Sequence, residues 1–208
     1  MPGSPVPLEP WQPLSVAAAA DVFSATTAPW WLAGGYAIEL AVGRPFRPHD
    51  DIDILLLRPD QLTVQAVLPD WEWLAADPPG TLRPWRSGEI LPPDVHDIWC
   101  RPGPEEAWQL QVMLDEADGS DWVSRRSPEV RRPVSDIGLV SDAGVPYLRP
   151  EIQLFYKGRQ IRPKDEQDFQ AALPVLTTAA LRWLRAAVVA VYGPDHRWLD
   201  RVTAQLGG

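Results

Sequence analysis

Two aspartates, Asp51 and Asp53, lie one residue apart at the start of an apolar run and follow a Gly34-Gly35 pair. Side chains alternate between the faces of a strand, so the two carboxylates are expected on the same face. They would repel each other unless a cation lay between them, and Mg²⁺ is usually held by one or two carboxylates together with phosphate oxygens. A glycine turn at the N-terminus of a helix is a site for phosphate. The pattern predicts metal-dependent chemistry on a nucleotide.

The short elements around these residues predict how they are positioned. The apolar stretch Trp30–Leu32 is expected to form a strand that runs into Gly34-Gly35, and residues 36–42 have the spacing of a helix. Residues 52–57 form a nearly continuous apolar run, which is typical of a strand covered on both faces in the middle of a sheet. The order strand, glycine pair and helix places backbone N–H groups where phosphate can bind.

The remaining pattern predicts an α+β fold, a mixed β-sheet core with helices followed by a C-terminal helical portion. Further strands are expected at 71–75, 81–85, 95–101, 107–114, 137–140 and 145–148, and helices at 14–26 and 59–68. The predicted elements change from mostly strands to helices at Pro150, after which four helices are expected at 151–157, 164–173, 177–191 and 195–206. We therefore expect a catalytic domain over 1–149 and a C-terminal helical subdomain over 150–208.

Composition narrows the classes of protein. The 208 residues are 45% hydrophobic, which is enough for a real core. A net charge of −9 without a basic cluster argues against binding to duplex nucleic acid and favours a cationic small partner. The single Cys100 excludes an internal disulfide and a cysteine-rich zinc site, and it is interpreted as a buried hydrophobe on a strand. No apolar run approaches the roughly 20 residues that span a bilayer. We therefore expect no membrane partner and a cytoplasmic location.

Two segments resemble a known family. Residues 30–58, WWLAGGYAIELAVGRPFRPHDDIDILLLR, resemble the signature of the DNA polymerase β-type nucleotidyltransferase superfamily, within it the aminoglycoside and lincosamide adenylyltransferase branch. Residues 150–169 are similar to a helical segment of that branch with its Lys and Lys-Asp-x-x-Asp pattern. The resemblance implies a nucleotidyltransferase core that uses Mg²⁺. The residues that carry it are Gly34, Gly35, Gly43, Arg44, Arg47, His49, Asp50, Asp51, Asp53, Lys157, Lys164, Asp165 and Asp168.

The resemblance implies a third carboxylate on a neighbouring strand, which would complete the metal site and accept the proton of the substrate hydroxyl. Asp115, at the end of the predicted strand 107–114, is the first candidate for this role beside Asp51 and Asp53. Asp97 is the second candidate. Asp115 is alternatively a turn acid before further acidic residues, since its spacing is not diagnostic.

Seven residues are expected to contact the nucleotide, and for Lys157 and Lys164 the expectation comes from the resemblance alone. The expected nucleotide-binding residues are Gly34, Gly35, Arg44, Arg47, His49, Lys157 and Lys164. The glycines alone would suit any strand-to-helix turn, the arginines could equally pair with surface acids, and His49 could equally form a hydrogen bond within its loop. Without the resemblance, Lys157 is interpreted as a solvated cation at a helix end. The Arg125-Arg126 and Arg131-Arg132 pairs could attract anions, although a solvated sheet edge is the favoured interpretation.

These features together predict transfer of a nucleoside monophosphate, AMP from ATP, to a hydroxyl of a small molecule. The branch suggests an aminoglycoside-like antibiotic, whose positive charge would match an acidic cleft to which Asp97, Glu89 and Glu151 contribute. One alternative is a toxin-like or housekeeping nucleotidyltransferase that acts on tRNA or a protein. Another is a catalytically inactive member that binds nucleotide or a partner.

Overall fold

A computed structural model describes Ser4, Pro5 and residues 11–207, and these residues form 11 strands and seven α-helices. The strands are β1 Ser4–Pro5, β2 Trp30–Leu32, β3 Asp53–Leu57, β4 Glu72–Ala76, β5 Thr81–Pro84, β6 Asp97–Arg101, β7 Leu110–Asp118, β8 Asp121–Val123, β9 Arg131–Pro133, β10 Gly138–Val140 and β11 Pro146–Leu148. The helices are α1 Val16–Phe23, α2 Gly34–Val42, α3 Thr63–Val67, α4 Pro150–Lys157, α5 Pro163–Ala172, α6 Thr178–Tyr192 and α7 Leu199–Gly207.

The strands form one mixed sheet, which confirms the predicted α+β class. Its order is β1-β5-β4-β6-β7-β3-β2-β11-β10, and the β8–β9 ribbon branches from the end of β7. The central strand β3 is parallel to β7 and antiparallel to β2. Its apolar residues Ile54, Leu55 and Leu56 are buried, as expected of a strand with both faces covered. Cys100 is likewise buried on β6.

Several predicted elements differ in extent from the observed ones. The glycines 34 and 35 form the first turn of α2 instead of preceding it. The predicted helix 59–68 is a 3-10 turn over Arg58–Asp60 followed by the short α3, and the Arg58 side chain turns inward and donates to the carbonyl groups of Pro92 and Val95. The predicted helix 195–206 begins only at Leu199.

Strand β7 also runs further than predicted. The expected strand 107–114 begins at Leu110 and continues to Asp118, because β8 folds back and pairs with its last three residues. Gly119 makes this tight turn with a positive φ of 60°, a conformation that favours glycine. Asp115 therefore lies within a paired strand and not at a strand end.

The helices after Pro150 pack on the sheet portion through α2, which contacts both α4 and α5. Glu166 of α5 accepts hydrogen bonds from the Arg201 guanidinium and from Trp198 Nε1 at 2.9 Å, and the side chains of Phe169 and Trp198 stack with centroids 4.3 Å apart. The hydrogen bonds from Arg201 are the largest cause of the lowered pKa of Glu166, about 2. These contacts fasten the last helix to α5.

No helix within the described part of the chain is both long enough and apolar enough to cross a membrane.

Candidate active site

The paired aspartates lie against the first turn of α2. Asp53 begins β3, and the backbone N–H of Ala33 donates to its carbonyl oxygen at 2.8 Å, which holds the turn before α2 on the strand. A Cβ atom on Gly34 would lie 1.9 Å from Asp53 Oδ2, so the carboxylate occupies the space that any other side chain would take. Gly34 also has a positive φ of 64°, and its N–H donates to Gln153 Oε1 of α4 at 2.9 Å.

This close approach makes the fold and the position of Asp53 sensitive to substitution of Gly34. We expect Gly34→Ala to destabilise the fold by about 1–3 kcal/mol, because the added Cβ needs a strained φ and displaces the Asp53 carboxylate. Thermal unfolding measures the stability cost, and metal binding by calorimetry measures the displacement of Asp53. Gly88→Ala is the matched control, since Gly88 shares the positive φ of 75° but faces open space. Equal metal affinity in Gly34→Ala and wild type would show that the contact does not position Asp53.

The environment of Asp53 suits a bound divalent cation. Burial, followed by repulsion from Asp51, raises the pKa of Asp53 to about 7, although Lys157 acts in the opposite direction. No side chain among residues 11–207 forms a hydrogen bond or ion pair with its carboxylate. Asp51 remains about one-third exposed and lies 3.6 Å from Lys164 Nζ. Two adjacent, poorly neutralised carboxylates are the oxygen ligands that Mg²⁺ takes in proteins.

A full protein ligand set for a metal is not present. Within the described ranges, 11–207, no group of three or more His, Cys, Asp or Glu side chains is arranged to hold an ion. Mg²⁺ usually keeps several waters and shares substrate phosphates, so two carboxylates satisfy its protein requirement. The residues therefore fit Mg²⁺ that is completed by a nucleotide and do not fit a closed structural metal site.

Gly35 lies against a loop that carries two of the predicted residues. A Cβ atom on Gly35 would come within 2.3 Å of Arg47 Nη2 and 2.4 Å of His49 Nδ1. His49 Nε2 lies 2.8 Å from Glu39 Oε2, and its ring packs on that of Tyr36 with centroids 4.1 Å apart. His49 Nδ1 is buried, and no group in the described residues hydrogen-bonds to it.

Arg47 and Lys157 converge on the acids of α5. The Arg47 guanidinium donates to both carboxylate oxygens of Asp168 at 2.5 and 2.9 Å, in the two-pronged geometry that Arg favours. Lys157 Nζ lies 2.8 Å from Asp168 Oδ2 and 3.3 Å from Asp165 Oδ1. Only 7% of the Lys157 side chain is exposed, so its interpretation as a solvated cation is wrong. This buried network joins the loop before β3 to the C-terminal helices.

Asp97 lies on the same face of the sheet as Asp53. Strand register places Asp53 opposite Gln111 of β7, and Asp97 opposite Met113 two residues further along β7. Residues that differ by two along a strand share a face. Asp97 Oδ1 accepts a hydrogen bond of 3.1 Å from Gln111 Nε2, and its charge contributes to the raised pKa of Asp53.

Asp115 lies elsewhere on that face. It is opposite Leu57, four residues along β7 from the partner of Asp53, a separation of roughly 13 Å. Its side chain is buried, and Oδ2 accepts hydrogen bonds from Trp122 Nε1 and Tyr156 Oη, both at 2.7 Å. The Arg125 guanidinium lies 3.4 Å from Oδ1. The structure therefore does not bring Asp115 to Asp51 and Asp53, because the register of β3 and β7 places Asp115 opposite Leu57 and not opposite Asp53.

Three other predicted contributors also lie outside the site. Arg44 follows the C-terminal end of α2, and the nine-residue helix separates it from Gly34 by about 13 Å. It lines a separate open cavity of about 400 Å³. Glu89 pairs with Arg83 at 2.7 Å, and buried Glu151 pairs with Arg132 at 2.9 Å, so neither contributes to an acidic cleft at Asp97.

Three residues at the site were missed by sequence reasoning. Gln153 holds the Gly34 N–H, and Gln111 holds Asp97. Arg125, interpreted as part of a solvated edge, has a side chain only 10% exposed, and its guanidinium lies over the Tyr156 ring at 4.9 Å from the centroid. The alternation of Gln109 and Gln111 with apolar residues was a signal for Gln111, but nothing local distinguished Arg125 from its neighbour.

The mixed sheet with an aspartate pair beside a glycine-initiated helix is the arrangement that the resemblance to nucleotidyltransferases implied. The sequence model of the aminoglycoside-2''-adenylyltransferase family matches residues 15–172, about three-quarters of the chain and all of the site. The chain therefore belongs to this family of adenylyltransferases. No curated protein matches at a significant level.

Solved structures share the fold. The lincosamide antibiotic adenylyltransferase LnuA, lincomycin-bound, is similar with a TM-score of 0.54 and 19% identity over 77% of this chain and 96% of that one. ANT(2")-Ia in complex with adenylyl-2"-tobramycin is similar with a TM-score of 0.53 and 19% identity over 85% of this chain and 94% of that one. The solution structure of ANT(2'')-Ia is similar with a TM-score of 0.51 and 22% identity over 85% of this chain and 89% of that one. At these identities the likeness shows the fold alone.

Proposed function

We propose that this enzyme transfers AMP from ATP to a hydroxyl group of a small, cationic, hydroxylated molecule of the aminoglycoside class, with Mg²⁺ as cofactor. The observation that carries the proposal is the placement of Asp53 and Asp51 against the glycine turn of α2, with Lys157 and Lys164 close to them. Carboxylates for a metal and cations for phosphates are the components that phosphoryl transfer requires.

Asp51 and Asp53 would hold the cation. When bound, Mg²⁺ would neutralise charge on the nucleotide phosphates and on the leaving pyrophosphate. The raised pKa of Asp53 supports this assignment, because a nearby cation would relieve the repulsion that raises it. The third acid expected from the family resemblance would be Asp97, the remaining carboxylate that acts electrostatically on Asp53.

Asp97 would accept the proton of the acceptor hydroxyl. The hydroxyl oxygen forms a bond to the α-phosphorus, the bond from that phosphorus to the bridging oxygen breaks, and pyrophosphate leaves with the electron pair. The hydrogen bond from Gln111 Nε2 would keep Asp97 oriented during this step. Asp115 is fully engaged by Trp122 and Tyr156, which supports a structural role for it instead.

The nucleotide phosphates would lie along the first turn of α2. Its N-cap residue, Ala33, makes no side-chain hydrogen bond to the helix, and Gln153 holds only the Gly34 N–H, so the phosphates would meet the N–H groups of the following residues of that turn. The buried and unpartnered His49 Nδ1 beside Gly35 would face the same ligand. Arg47 would act indirectly by holding the loop on Asp168, since its guanidinium is already occupied.

The acceptor class is inferred from charge and from the named ligands of similar structures. LnuA is described with lincomycin, and ANT(2")-Ia with adenylyl-2"-tobramycin. In this chain Asp97 and the half-buried Trp99 share the sheet face that carries Asp53. An acid beside an aromatic ring suits a cationic sugar, because the carboxylate attracts its ammonium groups and the ring packs on its apolar face.

The test is an acceptor screen with purified protein, ATP and Mg²⁺. We expect pyrophosphate release and a mass gain of one AMP only with an aminoglycoside, among separate reactions that contain aminoglycosides, lincosamides, a tRNA pool or no acceptor. Adenylylation of tRNA would replace the small acceptor with nucleic acid. No transfer to any acceptor, with ATP bound normally, would contradict the proposed reaction. Replacing ATP by GTP, CTP or UTP in the productive reaction tests the nucleotide.

A further inference from the structure

Three tryptophans form a cluster on the sheet face that carries Asp97. The rings of Trp11 and Trp99 lie edge to face with centroids 5.0 Å apart, and the ring of Trp108 contacts Trp99 in the same way at 5.4 Å. Aromatic pairs favour this geometry. Trp108 is fully buried, whereas Trp11 and Trp99 are half-buried. The Trp99 ring is therefore held by two neighbours while part of its surface stays open to solvent.

Trp108 contacts Trp99 from the side away from Asp97. Along β6, Asp97 lies two residues before Trp99 and Arg101 lies two residues after it, so the three side chains share a face. The Arg101 guanidinium lies 4.3 Å from the centroid of the Trp108 ring and pairs with Glu72 at 2.6 Å. Trp108 is thus fixed on the Arg101 side, and the opposite edge of Trp99 faces Asp97.

Trp11 belongs to a short N-terminal segment that is fixed beside Trp108. Trp11 forms a β-bridge with Trp108, the N–H of Gln12 donates to the Trp108 carbonyl at 2.9 Å, and the N–H of Leu14 donates to the Gln109 carbonyl at 3.0 Å. The match to the family model begins only at residue 15. Trp11 therefore lies outside the matched region and still contacts a residue next to the proposed base.

Trp99 lies close to the proposed reacting centre. Strand register places Gln111 of β7 between Asp53 and Trp99. Neighbouring strands are about 4.8 Å apart, so Asp53 and Trp99 are separated by roughly 10 Å across the sheet. An acceptor whose hydroxyl lay between Asp97 and Asp53 would extend over this distance, and its next ring would lie against Trp99.

We propose that Trp11 is a positioning residue for acceptor specificity, because it holds the Trp99 ring where that ring packs on the apolar C–H face of a sugar in the acceptor. The inference rests on the proposed function and adds a residue outside the family match. The Asp97 carboxylate attracts ammonium groups whatever molecule carries them. The Trp99 ring favours a cation built on saturated rings over one built on an open chain, since a ring held in place packs on another ring at little cost in conformational entropy.

Binding of two cations, measured by calorimetry without nucleotide, tests this role in the absence of transfer. Kanamycin, an aminoglycoside, carries its ammonium groups on rings, and spermine carries them on an open chain. Trp11→Ala and Trp99→Ala should each weaken kanamycin binding about 3–10-fold, the worth of an aromatic contact, and change spermine binding less than about twofold. Trp11→Phe should keep kanamycin affinity near that of wild type, since the edge-to-face contact remains.

Trp30→Ala is the matched control. Trp30 is also half-buried and packs on an aromatic ring, that of Phe23, but it pairs with Leu56 and so lies on the opposite face of the sheet from Asp53. Its substitution should leave the affinities for both cations unchanged. If Trp11→Ala fails to fold, Trp11→Leu takes its place, because Leu keeps an apolar side chain without a ring.

The double variant Trp11→Ala/Trp99→Ala shows whether Trp11 acts through Trp99. Its kanamycin affinity should equal that of Trp99→Ala, because the effect of Trp11 disappears with the ring that it holds. Losses that add in the double variant would overturn the positioning role. Unchanged kanamycin affinity in Trp11→Ala, equal losses for spermine, or no kanamycin binding by wild type would overturn it as well.

The same measurements separate this inference from the proposed reaction. AMP transfer in the acceptor screen, with kanamycin affinity unaffected in the Trp11 variants, would leave the reaction in place and overturn the role of Trp11. The expected pattern of affinities, combined with no transfer to any acceptor, would refute the proposed reaction and leave a sugar-binding surface.

Discussion

Asp53→Asn is expected to lower the rate of AMP transfer by at least about 10³-fold and at the same time to stabilise the metal-free protein. The loss of rate follows from the loss of a charged ligand of the proposed Mg²⁺ site. The gain in stability follows from the cost of the wild-type carboxylate, which is half-buried beside Asp51 without a hydrogen-bond partner in residues 11–207. Few substitutions of a structural residue would give this combination.

The pH dependence has a definite sign. The pKa of Asp53 is about 7 in the folded protein, whereas its ordinary value, which applies to the unfolded chain, is 3.8. The folded state therefore binds the proton more tightly than the unfolded state. Stability from this group is present at low pH and is lost as pH rises from about 4 to about 7, by roughly 2–4 kcal/mol. Asp53→Asn should not show that decline. Its thermal midpoint should therefore exceed that of wild type at pH 8, and the two should approach each other near pH 4.

Thermal unfolding with and without Mg²⁺ separates the loss of metal binding in Asp53→Asn from its gain in stability. Mg²⁺ should raise the midpoint of wild type at pH 8 and have little effect on Asp53→Asn. Asp60→Asn is the control, because Asp60 is a carboxylate in the turn after the same strand. A midpoint for Asp53→Asn that is below wild type at every pH would contradict the electrostatic argument, and full activity would contradict the metal assignment.

The second large effect is a contrast between two acids. Asp97→Asn should lower kcat by about 10²–10⁴-fold and leave stability within about 1 kcal/mol, because Asp97 begins a strand and is proposed as the base. Asp115→Ala should instead cost about 3–5 kcal/mol of stability, because it leaves the Arg125 guanidinium buried without its acid and removes the acceptor for Trp122 and Tyr156.

The contrast is measured by pairing kcat with denaturant unfolding for both variants. If Asp115→Asn, which keeps the shape of the side chain, folds normally and loses as much kcat as Asp97→Asn, the assignment of the base is wrong. A pH profile of kcat gives an independent test, since loss of the base should remove the acidic limb of the profile. A purely structural role for Asp97 would leave that limb in place.

The parts of the site that are local in the chain were predictable. The alternation around Asp51 and Asp53 and the glycine pair before α2 depend on a few adjacent residues, and the structure places them together. The choice of third carboxylate is different in kind. It depends on which residue of β7 lies opposite Asp53, and no local pattern states the register of two parallel strands 58 residues apart, from Asp53 to Gln111.

The burial of charged side chains could not be predicted from the sequence either. Lys157 and Arg125 each have an acidic partner that tertiary packing supplies, Asp168 for the first and Asp115 for the second. A lone basic residue in a sequence is most often solvated, and only the fold shows which one is enclosed. The helical face that carries Asp165 and Asp168 was visible, but its partner in the loop before β3 was not.

The hydrogen bond from Gly34 to Gln153 and the pairing of Arg47 with Asp168 link residues 119 and 121 positions apart, across the change of character at Pro150. The proposed catalytic centre therefore includes residues on both sides of the predicted boundary at 149–150. A chimera that exchanged residues 150–208 between relatives would also exchange the residues that hold the glycine turn and the loop before β3 in place. Variation in these helices is consequently coupled to the chemistry, and the two segments are expected to be inherited together.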